Sequence, residues 1–107
     1  MKARTSSLSR SRINKKQAIF SDRVYDVVRS IPKGSVLAYG AVAALAGSPL
    51  ASRVVGSLMK RNFDPAIPCH RVICADGTVG QYNRGIEEKR ALLKGEGVVI
   101  AGEKVVV

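Results

Sequence analysis

No apolar run in this sequence approaches the length of a membrane-spanning helix. The stretch from Met1 to Lys16 is basic and lacks the apolar block that a secretory signal needs. A cytosolic setting is therefore expected, either cytoplasmic and nucleoid-associated or nuclear. Cysteine is scarce. A secreted domain of this size would often carry several disulfides, whereas Cys69 and Cys74 are the only two here. Histidine occurs once, at His70, between them. There is no internal repeat. Acid is missing altogether between Asp26 and Asp64, where Arg29, Lys33, Arg53, Lys60 and Arg61 lie. A one-sign stretch of this kind suits a phosphate backbone, because each neutralised phosphate releases counterions.

What is present fits one globular domain. The chain has 107 residues, 46% of them hydrophobic, enough for a single modest core. Its formal net charge is +10. Six of the 18 basic residues fall in residues 1–19, which hold no acid, so that segment reads as a disordered basic arm. Order is expected from Phe20 to the end, at 20–107. Ser21 suits an N-cap, and Phe20 could staple onto Tyr25. Val24, Val27, Val28 and Ile31 then repeat at helical spacing until Pro32 and Gly34.

Tyr39 to Ala46 reads as a short Ala-rich helix closed by Gly47. Ser48 and Pro49 should start another, running to about Arg61. Two short helices joined at a glycine form a helix-turn-helix pattern. The second helix is slim, with Ala51, Ser52, Gly56 and Ser57, and Arg53 is its main long polar side chain before Lys60. Base-edge readout in the major groove normally takes several long polar side chains, so a narrow groove fits better. Ordinary close packing of two helices would explain the same small residues. Ile86 to Lys94 reads as a helix closed by Gly95, and the segments at 98–100 and 105–107 as a β-hairpin. The expected fold is mainly α (α+β): one helix-turn-helix, winged-helix-like domain with a short C-terminal hairpin.

The run Pro68-Cys69-His70-Arg71 carries the chemistry. Cationic neighbours and helix N-termini favour a reactive thiolate, and a Cys with a His as base is a common nucleophile arrangement. Adjacent side chains seldom point at each other, so a proton would travel through a water. Three other readings fit the same residues: a buried core thiol, a metal site with Cys69, His70 and Cys74, or a Cys69–Cys74 disulfide. The spacing matches no familiar zinc pattern, so no metal and no cofactor is expected.

The segment Ile67-Pro68-Cys69-His70-Arg71-Val72 resembles the active-site signature of the O6-alkylguanine-DNA alkyltransferases. The likeness runs from about Phe20 to Gly97, through Ile31-Pro32-Lys33-Gly34, Ala38-Tyr39-Gly40, Ser52-Arg53-Val54-Val55-Gly56, Gly80-Gln81-Tyr82 and Glu96-Gly97. It implies a suicidal repair protein that flips O6-alkylguanine from double-stranded DNA, through the minor groove, and keeps the alkyl group on Cys69. His70 resembles the base, Glu96 the carboxylate orienting it, and Tyr39 the residue contacting the flipped guanine and its phosphate. Arg53 resembles the finger filling the vacated base stack, with Ala51, Ser52, Gly56 and Lys60 also facing DNA. Asn62 resembles the hinge, and Val72, Tyr82, Asn83 and Arg84 resemble pocket residues. A monomer with no membrane partner is expected.

Four features depart from the family. A basic arm stands where relatives often have a domain. The link from Asn62 to Cys69 is a residue shorter than in some relatives. Asn83 replaces a more usual Ser. Arg84 replaces a frequent Gly, which could narrow the pocket, because Arg lacks glycine's positive-φ freedom. The alternative is an alkyltransferase-like protein, which binds alkylated DNA without transfer and flags it to excision-repair proteins. Such relatives usually lack Cys at the acceptor position. A sequence-specific helix-turn-helix regulator is a further alternative, and the slim helix argues against it.

Overall fold

A computed structural model describes residues 15–106. The expectation of a disordered arm falls largely on residues outside that range. The first helix, α1, spans Lys15–Arg29. It therefore begins before the expected Ser21 cap, and residues 15–19 belong to it rather than to an arm. The reason lies in Lys15, Lys16, Gln17 and Ala18, all good helix formers with nothing to break them from Phe20. Phe20 and Tyr25 still pack against the core, beside buried Val24 and Val28. Pro32 stops the helix, and the last turn tightens with Ile31 N–H donating to the Val28 carbonyl.

Strand β1 (Leu37–Ala38) leads directly into helix α2 (Tyr39–Leu45). Gly47, at φ +99, reverses the chain, and Ser48 N–H donates to the Ala43 carbonyl. Helix α3 spans Ser52–Lys60. It starts at Ser52, not at Ser48 and Pro49 as their capping chemistry suggested. Ala51 N–H closes a turn onto the Ser48 carbonyl, so Pro49 and Leu50 form a loop. Helices α2 and α3 pack together as a helix-turn-helix, with Val42, Ala43, Val55, Leu58 and Met59 buried. Each fully buried valine contributes roughly 1.5–3 kcal/mol.

After α3 the chain makes a 3-10 turn at Cys69–Arg71 and enters strand β2 (Val72–Ile73). β2 pairs in parallel with β1, Leu37 opposite Val72 and Ala38 opposite Ile73. This pairing brings Tyr39, one residue past β1, alongside the turn that carries Cys69. Helix α4 spans Ile86–Gly95. Gly95 does not close it. Gly97, at φ +94, does, with Val98 N–H donating to the Leu93 carbonyl. Glu96 is thereby the C-cap residue, facing inward. The hairpin forms as expected, from β3 (Val99–Ala101) and β4 (Lys104–Val106). A second small core of Val79, Leu93 and Val98 fastens it to α4, with Val36, Ile100 and Val105 packed around it. None of the helices among the described residues is long and apolar enough to cross a membrane.

Candidate active site

Cys69 opens the 3-10 turn, and only 6% of its surface is exposed. A single turn supplies little macrodipole, so charged neighbours matter more than the helix end. The thiol lines a cavity of about 540 Å³, walled by Tyr39, Arg53, Met59, Cys74 and Tyr82 among others. A second cavity of about 160 Å³ shares Cys69 and Tyr82 and runs on to Phe63, His70 and Arg84. Cys69 and Cys74 are both free thiols. Among the described residues no three His, Cys, Asp or Glu side chains converge as a metal site would require.

Behind Cys69 lies a closed network. His70 Nε2 stands 3.0 Å from Glu96 Oε2. Arg71 grips the same carboxylate with both edges of its fork, Nε to Oε1 at 2.9 Å and Nη2 to Oε2 at 2.7 Å. Its remaining nitrogen donates to the Ile31 carbonyl at 2.6 Å. The Arg71 bonds, ahead of those from His70, hold the Glu96 carboxyl down at about 2. An ionised Glu96 can only accept, so Nε2 is assigned the imidazole proton and Nδ1 a free lone pair.

Tyr39 and Tyr82 present their rings to the larger cavity. Burial first, then the Cys74 and Cys69 thiols, raise the Tyr39 hydroxyl above its usual range, so it stays a donor. Tyr82 is raised likewise, chiefly by burial. Asn62 is buried and braces the link to the thiol: Nδ2 donates to the Ile67 carbonyl at 3.1 Å, and Oδ1 accepts from Asp64 N–H at 3.1 Å. The shorter link thus still closes around this residue. Asn83 ties the pocket loop to the end of α3, donating to the Asn62 carbonyl at 2.5 Å and the Lys60 carbonyl at 3.1 Å.

On α3, Arg53 and Lys60 are exposed and edge the larger cavity with Gly56. A Cβ on Gly56 would meet nothing within 4 Å, so the helix surface there is open. Ala51 caps the helix by position and Ser52 begins it, both on the same end as Arg53.

Two expected pocket residues do not line the larger cavity. Val72 is fully buried in the core and lines neither cavity, since β2 turns its side chain inward. Arg84 is exposed, donates to the Phe63 carbonyl at 3.1 Å and lies 5.6 Å over the Phe63 ring. It closes the smaller cavity rather than the larger. The left-handed position of this loop falls on Gly85, at φ +99, so Arg84 displaces no needed glycine there.

The sequence reading missed Lys89, which is wholly buried on α4. One signal could have found it: Lys89 stands four residues before buried Leu93, on the same helical face. Gln81, Met59 and Cys74 also line the cavity without having been singled out as pocket residues.

A helix-turn-helix whose second helix edges a cavity ending on a thiol, with an imidazole and a carboxylate behind it, defines a class: small helix-turn-helix domains with a cysteine-walled cavity beside the second helix. The chain belongs to the family of the 6-O-methylguanine DNA methyltransferase DNA-binding domain, whose model matches residues 19–98. It is 48% identical over 84 residues to a methylated-DNA–protein-cysteine methyltransferase of Methanothermobacter thermautotrophicus, covering 78% of this chain and 47% of that protein. It is 41% identical over 88 residues to a DNA base-flipping protein of Escherichia coli, covering 81% of this chain and 68% of that one. Among solved structures, S. pombe Atl1 in complex with damaged DNA containing O6-carboxymethylguanine superposes with a TM-score of 0.70 at 36% identity. That match covers 77% of this chain and 79% of the other. The chain thus spans about half of the methyltransferase and most of the two shorter relatives.

Proposed function

We propose that this protein repairs O6-alkylguanine in double-stranded DNA by moving the alkyl group onto Cys69, once per molecule. The observation that carries this reading is the Cys69 thiol at a cavity wall, with His70 tied to an ionised Glu96 directly behind it. Helix α3 enters the minor groove, and Arg53 fills the gap left by the flipped base. Flipping costs a few kcal/mol, which stacking and phosphate attraction at Arg53 partly offset.

The thiol proton passes through a water to His70 Nδ1, and the imidazolium is stabilised by Glu96. The sulfur then attacks the saturated carbon on O6. A carbon–sulfur bond forms as the carbon–oxygen bond breaks, and the electron pair leaves with guanine. Tyr39, kept protonated by its burial, donates a hydrogen bond to that base. The thioether has no leaving route, so turnover ends there.

A second reading has a specific observation in its favour. The chain is 36% identical to S. pombe Atl1 and 41% identical to the base-flipping protein. That likeness supports binding without transfer, as in alkyltransferase-like proteins. A duplex labelled on the O6-methyl carbon separates the two. Transfer predicts that denatured protein retains label up to one equivalent and then stops. Tight binding with all label left on DNA would replace this reading with damage flagging.

A further inference from the structure

Helices α2, α3 and α4 end in two different ways. The last carbonyls of a helix have no partner within it, and a left-handed glycine beyond the end ordinarily turns the chain so that backbone N–H groups reach them. Gly47 does this after α2 and Gly97 after α4. Helix α3 instead runs into Arg61, Asn62 and Phe63 with no glycine, and Arg61 keeps a right-handed backbone at φ −94. Arg61 N–H reaches the Ser57 and Leu58 carbonyls, and Asn62 N–H the Met59 carbonyl. Among the described residues, no backbone bond of that turn reaches the Lys60 and Asn62 carbonyls.

A side chain of the pocket loop takes both. Asn83 Nδ2 donates to the Asn62 carbonyl at 2.5 Å and the Lys60 carbonyl at 3.1 Å, and shares the Met59 carbonyl at 3.3 Å. Its Oδ1 has no hydrogen-bond partner among the described residues, so the donors alone hold the side chain there. Arg84 continues the grip onto the Phe63 carbonyl and ring. Asn62 passes it on toward the thiol: its side chain donates to the Ile67 carbonyl, which also accepts from Cys69 N–H at 2.8 Å. Tyr82, just before Asn83, lines both cavities beside Cys69. Helix α3 packs on α1 and α2, whereas α4, which follows the loop, packs on the 3-10 turn and β3. Asn83 therefore joins the helix-turn-helix to the part of the molecule that walls the pocket.

We propose that Asn83 is a positioning residue that closes α3 from the pocket loop, so that the helix facing DNA and the cavity wall formed by Tyr82 take up their positions together. Seating α3 on a duplex then steadies the loop through bonds that lie behind the helix end. The linkage runs both ways, so a loop fixed against a flipped base also fixes the end of α3.

Since this rests on α3 being the DNA-facing helix, the first test needs DNA binding alone. Amide hydrogen exchange of the full chain is followed with and without a saturating undamaged duplex. Asn83→Asp keeps the shape, removes both donors and sets a negative charge against the carbonyl end of the helix, while Asn83→Ser keeps one shorter donor. In wild type, the amides of residues 80–85 should exchange about ten-fold more slowly on DNA, the scale of one hydrogen-bonded tie. In both variants that gain should fall below about two-fold, with α3 protected as in wild type. The second test uses excess protein and a duplex containing one O6-methylguanine. Methyl transfer at saturation should slow about ten-fold in Asn83→Asp, with the half-saturating concentration within about two-fold of wild type. Loop protection on DNA equal in wild type and both variants would overturn the proposal. So would a wild-type loop that DNA does not protect, or a transfer rate at saturation that Asn83→Asp leaves unchanged. If Asn83→Asp fails to fold by circular dichroism, Asn83→Ser decides in both tests. A wild type that binds the duplex and transfers no methyl would sink the repair reading, and the exchange comparison would then decide on Asn83 by itself.

Discussion

The two sides of the Cys69 cavity are held in opposite ways. On the thiol side, Arg71, Glu96, His70 and the Ile31 carbonyl form a closed set of bonds between 2.6 and 3.0 Å. On the α3 side, the helix has no side-chain cap at its N-terminus, its glycine faces open space, and Arg53 and Lys60 reach into solvent. The thiol side is built before any substrate arrives. The α3 side leaves its cations free for an incoming phosphate backbone. The proposed transfer would use that division, because reactive geometry must be fixed in advance while a flipped base has to be admitted.

Breaking the rigid side should have the largest effect. Glu96→Gln keeps the shape but removes the charge that orients His70, and should slow methyl transfer about 10²-fold at pH 7 with DNA affinity nearly unchanged. The same carboxylate governs acid stability. Its carboxyl is held at about 2, below the ordinary 4.5, so the network contributes fully above about pH 4.5 and is lost as pH falls toward 2. Acid unfolding followed by circular dichroism should therefore flatten over that window in Glu96→Gln. An unchanged acid limb would mean that the network does not hold the fold.

Breaking the open side should cost less and in a different currency. Arg53→Ala should slow transfer about ten-fold by losing the side chain that fills the stack. Fold stability should stay within about 0.5 kcal/mol, because the residue is exposed. Its affinity should also fall less steeply with salt, by a slope of about one if a phosphate contact is lost. A stability loss in place of a binding loss would contradict the division.

The smallest expected effect sharpens the border between the two sides. Arg84 latches the pocket loop onto Phe63 and closes the smaller cavity beside Cys69. Arg84→Gly should raise the benzyl-to-methyl rate ratio by about three- to ten-fold, a pocket effect of about 0.6–1.4 kcal/mol. A ratio that does not move would show that the latch does not limit substituent size.

Much of this arrangement was legible in the chain. The Pro68-Cys69-His70-Arg71 run, the Gly47 break between two short helices and the terminal valine runs each mark their own element locally. The misses share a physical cause. Strands of two residues, as in β1 and β2, cannot show alternation, so the pairing that sets Tyr39 beside Cys69 left no pattern. Ser21, Ser48 and Gly95 have the right capping chemistry, yet α1 starts at Lys15, α3 starts at Ser52, and the left-handed turn after α4 falls on Gly97, where packing and chain reversal decide. Arg71 was visible as a cation beside a thiol, but its grip on a carboxylate 25 residues away depends on the tertiary fold. Lys89 was hidden by its own residue type, since lysine on a helix ordinarily faces water.

The central claim is that Cys69 accepts the alkyl group. The direct measurement is the mass of intact protein and of its Cys69 peptide after mixing with one equivalent of duplex containing a single O6-methylguanine. The account predicts one methyl gained on that peptide, none in Cys69→Ser, and DNA binding retained in both. Tight binding of the duplex with no mass gain on Cys69 would contradict it.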